Sequence, residues 1–444
     1  MPIVALVALV LVGCNKPAGE LVGARRSTNF KEANPYGMLF IKKGSFMMGA
    51  NTQSAVFEQP DNVKMVTVDA FWMDETEITN NEYHQFVDWV IDSIALTQLV
   101  ASGLTDYAIQ PKDEDFDEEH FQLNWNKKVP WKSKEEDVVD ALSFMFYSDG
   151  KILNTNHLYY RYNWVNMDEA LPHRNKFDVA TSTYPKGATV RVDTFWINDN
   201  GEIMDSTIIR PLREPKDLLT EKIICIYPDT LVWARDFQFS YNDPLMHMYF
   251  RHPGYAEYPV VGVTWEQAHA FCHWRTKLFN SHSSMDANDY RLPTEALWEY
   301  AARGGRKMAM YPWGSNYARD SKGCFFANFK PYRGAYSDDT GTATMKVAQF
   351  RPNDFGLFDM AGNVAEWTNS SYQSAMNDHM HDWNPDYTYM ARKDDPDILK
   401  RKVVKGGSWK DISYFLQCGV RSYEYQYESR PYIGFRCVRA YIGD

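Results

Sequence analysis

Apolar positions recur at helical spacing in three places along the chain, and each recurrence has its own start signal. Thr79 with Glu82 makes a capping-box pair, and behind it Tyr83, Phe86, Val87 and Val90 fall on one helical face. Thr264 with Gln267 repeats the device ahead of Ala268, Phe271, Cys272 and Leu278. Arg291-Leu292-Pro293-Thr294-Glu295 starts a third helix capped by Thr294, with Trp298 and Ala301 inward and Gly304-Gly305 as the stop. Strands are expected at Leu39-Phe40-Ile41, after the turn Gly44 to Gly49, and along the alternating run from Val63 to Val68. One closing strand covers Gly434 to Arg439.

The pattern weakens between about 95 and 250. That stretch mixes acidic loops with aromatic islands such as Tyr159-Tyr160-Arg161-Tyr162, and the acidic run Asp113 to Glu119 reads as a solvated loop. One hairpin is expected from Val190 to Ile208, turning at Asn198-Asp199-Asn200-Gly201. No chemistry is assigned to this long insertion.

The N-terminus has a different pattern. Pro2 to Gly13 is an apolar run too short to span a bilayer, and it stops at Cys14 before polar Asn15 and Lys16. Leu11-Val12-Gly13-Cys14 resembles a bacterial lipobox, which makes 1–14 a lipoprotein signal with Cys14 as the lipidated residue. The basic residues that usually precede such a core are absent. Residues 15–36 read as a tether, and 37–444 as the folded domain.

Composition narrows the function. A chain of 444 residues, 44% hydrophobic and 15% aromatic, has the material for a large core. Its net charge of -11, without a Lys/Arg cluster, argues against nucleic-acid binding. Of six cysteines, Cys14 would carry lipid. Cys225, Cys272, Cys324, Cys418 and Cys437 remain, an odd set that leaves at least one free thiol in an oxidising compartment. Without a CxxC pair, a zinc ribbon or thioredoxin-type centre is excluded in its usual form.

The richest chemistry lies in Gly356 to Trp367, where Asp359, Gly362, Asn363 and Glu366 sit between the apolar anchors Leu357, Phe358, Met360 and Trp367. Hard oxygen donors around a glycine hinge suit a calcium-type site. His269 and His273, one helical turn apart, lack a third ligand and read as a surface pair. Ser408 lacks a nucleophile elbow, and the two Gly-Gly turns read as backbone turns rather than phosphate loops. The alternation Tyr423, Tyr425, Tyr427 would line a concave aromatic site in a ligand-binding protein, but reads more simply as a packed strand face.

Eight segments, in order, resemble the formylglycine-generating-enzyme, or sulfatase-modifying-factor, family. They are Gly44-Ser45-Phe46-Met47-Met48-Gly49, Glu77-Ile78-Thr79-Asn80, Val263-Thr264-Trp265, and Arg291 to Glu295 with Trp298-Glu299-Tyr300. Tyr311-Pro312-Trp313-Gly314, Gly356 to Trp367, Gly406-Gly407-Ser408 and Gly434-Phe435-Arg436 complete the set. The resemblance implies an α+β, C-type-lectin-like fold, low in regular structure. It implies two calcium sites, one using Asp359, Gly362, Val364 and Glu366, the other Asn328, Phe329, Asp339 and Gly341. It also implies a disulfide between Cys272 and Cys437, and leaves Cys418 without its usual mate because Ala302 stands there.

The family's oxidative chemistry requires two cysteines that hold copper(I). Here those positions align with Asp411 and about Leu416, so the resemblance implies a catalytically silent member with no copper. Together with the lipobox, the tether Gly19 to Gly23, the insertion and the run Tyr227 to Trp233, the chain resembles the GldK/PorK type of gliding-motility and type IX secretion lipoprotein. That implies an outer-membrane lipoprotein on the periplasmic face, forming a ring with a GldN/PorN-type partner and other secretion-system components, with the exposed insertion as candidate contact surface. The alternatives are a sibling of the GldJ type and an active copper-dependent formylglycine-generating oxidoreductase.

Overall fold

A computed structural model describes residues 32, 34–50, 63–109, 121–147, 152–198, 202–236, 243–283, 288–331, 340–374 and 376–443. Cys14 with its apolar run, most of the tether, Asp113 to Glu119, the hairpin residues Asp199 to Gly201 and Asp339 lie outside them. Residues Asn34–Tyr441 form one structural unit. No helix among the described residues is long and apolar enough to cross a membrane.

The unit opens with β1 (Met38–Ile41), β2 (Gly44–Met48), β3 (Lys64–Val68) and β4 (Phe71–Asp74), then α1 (Asn80–Ala101). Thr79 caps α1 through the full box with Glu82, and Tyr83, Phe86, Val87 and Val90 are buried beneath it. The insertion supplies α2 (Glu136–Ser143), β5 (Tyr159–Val165), the hairpin β6 (Thr189–Ile197) and β7 (Ile203–Pro211), and β8 (Leu219–Cys225). Ile197 pairs with Ile203, and the Asn198 amide donates to the Glu202 carbonyl, so β6 and β7 form the expected hairpin. Then come α3 (Trp265–His282), β9 (Tyr290–Arg291), α4 (Glu295–Arg303), β10 (Ala365–Ser371), β11 (Arg401–Lys405), β12 (Ser422–Tyr425), β13 (Ile433–Gly434) and β14 (Val438–Ala440).

Two four-stranded sheets carry the core, ordered β1-β4-β14-β9 and β12-β11-β10-β13. The first brings the start and end of the domain side by side, with Met38 opposite Asp74 and Val438 opposite Met73. The expected single closing strand is in fact two. β13 runs parallel to β10 in one sheet and β14 joins the other. Phe435 and Cys437 anchor the crossover in the apolar core, while Arg436 bonds to Glu366 in the second sheet.

Two large apolar clusters carry most of the core. In one, α1 and α3 pack against Trp72, Trp367 and Phe435; in the other, α4 packs against β2, β3 and β4. Each fully buried Phe or Leu contributes roughly 1.5–3 kcal/mol. The insertion is less exposed than its weak periodicity suggests. Val138, Leu142, Tyr160, Tyr162, Ile224 and Ile226 join the α1–α3 cluster, because β5 turns every second residue inward against its partner β8. Other large apolar side chains of the insertion stay in water, among them Trp125, Trp131, Leu171 and Val179 and, on the distal hairpin, Trp196, Met204, Ile208 and Ile209.

Candidate functional site

The loop leading into β10 is shaped by left-handed residues. Gly356, Asp359, Gly362 and Asn363 all have positive φ, and a Cβ on Gly362 would stand 2.5 Å from the Asn328 carbonyl oxygen. This tight path aims successive groups at Glu77, which is fully buried just before the Thr79 cap. Asn363 Nδ2 donates to Glu77 Oε2 at 2.7 Å, and the Val364 amide donates to Oε1 at 3.0 Å.

Glu366 follows on β10, also fully buried. Its oxygens accept Arg436 Nη2 at 2.7 Å, Arg436 Nε at 3.0 and 2.8 Å, and Trp298 Nε1 at 2.8 Å. Arg436 also donates to the carbonyls of Asp74, Glu75 and Phe358, tying β4, the loop and the β13–β14 crossover together. Burial opposes the Arg436 charge, but Glu366, Glu77 and Asp359 outweigh it and hold its pKa above the ordinary value. Burial, then the charges of Asp359 and Glu366, push the Glu77 carboxyl well up. Burial likewise raises Asp359 to about 6, against a backbone hydrogen bond from Ala348.

Three carboxylates thus face one guanidinium. The surplus negative charge at Glu77 and Asp359 is of the kind a hard cation relieves, and carboxylate oxygens are its preferred donors. The first predicted ligand set therefore fits calcium in part. Asp359 and the Gly362–Val364 backbone border Glu77, while Glu366 is already engaged by Arg436 and Trp298. Among the described residues, no group of three or more His, Cys, Asp or Glu side chains is placed to hold a metal.

In the second predicted set, Asn328 works as a clamp. Its Oδ1 accepts from the Gly341 amide at 3.0 Å and its Nδ2 donates to the Ala343 carbonyl at 2.9 Å. The Phe329 ring packs edge-on against Phe325 at 5.1 Å. Asp339 lies outside the described residues, so the set is seen only in part.

Behind Glu366 lies a second buried charge cluster that the sequence reading missed. Glu299 accepts Arg303 Nη2 at 2.7 Å, Lys405 Nζ at 3.1 Å and the Gly49 amide at 2.9 Å, and Glu295 takes Arg421 Nη2 at 2.8 Å. Glu77, Arg436 and Glu299 all stood in motifs quoted above. Charged residues inside apolar helix and strand patterns were the available signal.

Asp411 turns back on the Gly-Gly-Ser turn, its Oδ2 accepting Ser408 Oγ at 2.7 Å and the Ser408 amide at 3.0 Å. Leu416 is fully buried among Tyr311, Ala327, Phe329 and Ala361. Cys418 is also buried, and burial pushes its thiol to about 12, which leaves it unreactive. The Cys272 and Cys437 sulfurs lie 3.5 Å apart, so the structure brings the predicted pair together as two thiols in contact rather than as a disulfide.

The histidine pair is not on the surface. His269 stacks on Trp265 and His273 on Tyr162, with Trp164 beside both, because the β5–β8 pair of the insertion covers this face of α3. Burial holds both rings below the ordinary histidine pKa, His273 at about 4.

A model of the sulfatase-modifying factor enzyme 1-like domain matches residues 24–141 and 239–441, well over half the chain. The chain belongs to the sulfatase-modifying-factor family. It is 42% identical over 158 residues to the inactive C-alpha-formylglycine-generating enzyme 2 of Bos taurus, covering 35% of this chain and 40% of that one. It is 32% identical over 195 residues to the formylglycine-generating enzyme of Mus musculus, covering 42% and 45%. The chain thus spans less than half the length of these curated relatives. PvdO from Pseudomonas aeruginosa is similar across 91% of this chain and 94% of that one, at 16% identity and a TM-score of 0.43. The interruption of the family match, from 142 to 238, falls within the insertion and includes β5 to β8.

Proposed function

We propose that this sulfatase-modifying-factor chain is a non-catalytic structural lipoprotein of the type IX secretion and gliding machinery, of the GldK/PorK type. The observation that carries the non-catalytic reading is the segment after the Gly-Gly-Ser turn. Where the family's copper chemistry calls for two thiols, Asp411 caps a turn and Leu416 fills an apolar cluster. A relative named as inactive is compatible with that reading.

In this account Cys14 anchors the chain to the periplasmic face of the outer membrane, and the domain assembles into a ring with a GldN/PorN-type partner. Glu77 and Asp359, with backbone oxygens of Gly362 and Val364, would hold a calcium ion that neutralises buried charge and takes no part in turnover. Affinity purification of the tagged full chain from crosslinked envelopes tests the assembly. Recovery of a soluble periplasmic partner in ring-shaped particles supports it, and a monomer that brings down nothing overturns it.

A further inference from the structure

The outer strand of the insertion's hairpin is an open sheet edge. β7 pairs with β6 without a bulge from Ile203 to Pro211, and among the described residues no other strand borders it. Every residue from Met204 to Ile209 is exposed, Ile209 at 74%. The Asn198 amide donates to the Glu202 carbonyl at one end and the Leu212 amide to the Ala188 carbonyl at the other, so even-numbered residues of β7 bond inward to β6. The backbone N–H and C=O groups of Ile203, Asp205, Thr207 and Ile209 therefore point outward. β6, not β7, packs beside β8, which leaves the outward side clear of the second strand pair.

Edge strands are ordinarily protected by a lysine, a proline or a bulge. Between Ile203 and Arg210, β7 has none of them. Its one acid in that span, Asp205, is paired with Lys393 at 2.9 Å. An unprotected edge of this length takes another strand, and the side chains decide which one.

The strand that matches β7 is β7 itself. With two copies antiparallel and Ser206 on the two-fold axis, Ile203 opposes the partner's Ile209 and Asp205 opposes the partner's Thr207. On the other face Met204 opposes the partner's Ile208, and Glu202 at the end opposes the partner's Arg210. Apolar meets apolar, acid meets hydroxyl or guanidinium, and no like charges face each other. Other axes lose this match. Centring on Thr207 sets Asp205 against Ile209 and Ile203 against Pro211, and centring on Asp205 sets two aspartates together. The favoured register also extends an apolar row, because Trp196 is the cross-strand neighbour of Met204 and both side chains are exposed. About eight backbone hydrogen bonds would form, two for each opposed outward pair.

We propose that β7 is a self-association edge, onto which a second copy of this chain adds its own β7 to make a four-stranded sheet ordered β6-β7-β7-β6. A two-fold contact closes at two copies, so it is distinct from the head-to-tail contact that a ring requires. The proposal stands or falls independently of the secretion assignment.

Sedimentation of the purified full chain in detergent, with oxidative crosslinking of single cysteines, tests it. Self-association of a strand pair this small is expected at about 1–100 μM. Thr207→Pro removes an outward N–H that the fold itself does not use, and is expected to weaken the dimer at least about tenfold. Ile209→Lys, at an exposed position where folding is not at stake, is expected to do the same. In a Cys324→Ser background, which removes an exposed native thiol, Ser206→Cys should crosslink to its own copy, because it faces itself across the axis in a closely spaced pair. Met204→Cys, whose two copies lie on opposite sides of the axis, should crosslink far less. The proposal is overturned if the chain stays monomeric to about 100 μM without a Ser206→Cys crosslink. It is equally overturned if association survives both Thr207→Pro and Ile209→Lys, or if Met204→Cys crosslinks as readily as Ser206→Cys.

Discussion

Charge is handled in opposite ways on the two sides of this molecule. In the domain, Glu366 and Arg436 meet at 2.7 Å with side chains 1% and 0% exposed, and Glu299 meets Arg303 at 2.7 Å with both at 1%. At the insertion, Arg191 and Asp394 meet at 3.1 Å with 36% and 69% exposed, and Lys393 and Asp205 at 2.9 Å with 81% and 33%. The buried pairs cannot be opened without stranding a charge in the core, so they fix how loop, strand and crossover sit. The exposed pairs are weak and screened by salt, so they hold the hairpin against 391–394 by a bond that solvent can compete for. One region is built for a single geometry, the other for adjustable contact.

The largest break in that contrast comes from Arg436→Met. It leaves Glu366 without its cation and should cost about 3–5 kcal/mol in urea unfolding. Adding Glu366→Gln, which keeps an acceptor for Trp298, should restore a large part of the loss.

Two groups titrate in overlapping windows with opposite sign. His273 is held at about 4 when folded, so the unfolded chain takes its proton first. Its stabilising contribution is complete above about pH 6.5 and is lost as pH falls towards 4, on the order of 3 kcal/mol. His273→Phe should flatten that loss. Asp359, raised to about 6, holds its proton longer in the folded chain, so stability declines as pH rises from about 4 to about 6. Asp359→Asn should remove that decline and gain up to about 3 kcal/mol above pH 6. Calcium added to the unaltered protein above pH 6 should raise its melting temperature, and should do so less in Asp359→Asn. The smallest effect belongs to the hairpin. Lys393→Ala should cost less than about 1 kcal/mol, and nothing measurable in high salt.

The three amphipathic helices were legible because each carries its period and its cap in neighbouring residues, and Thr79, Thr264 and Thr294 all accept the amide bonds expected of them. The proximity of Cys272 and Cys437 followed from family resemblance, not from local pattern. What stayed hidden was set by distant packing. The closing stretch splits between two sheets around Arg436, whose guanidinium meets Glu366 and three backbone carbonyls brought from distant parts of the chain. His269 and His273 look solvated until the insertion, weak in period, lays Tyr162 and Trp164 over them. Glu77 joined Asp359 and Glu366 through a fold contact spanning almost the whole domain, and no spacing rule reaches so far.

The central claim, that this sulfatase-modifying-factor domain builds rather than catalyses, is tested most directly by loading the purified full chain with copper(I) and offering a cysteine-containing peptide under oxygen. The account predicts no thiolate-bound copper and no peptide aldehyde by mass spectrometry. Multiple turnovers to aldehyde, lost on Asp411→Ala, would contradict it.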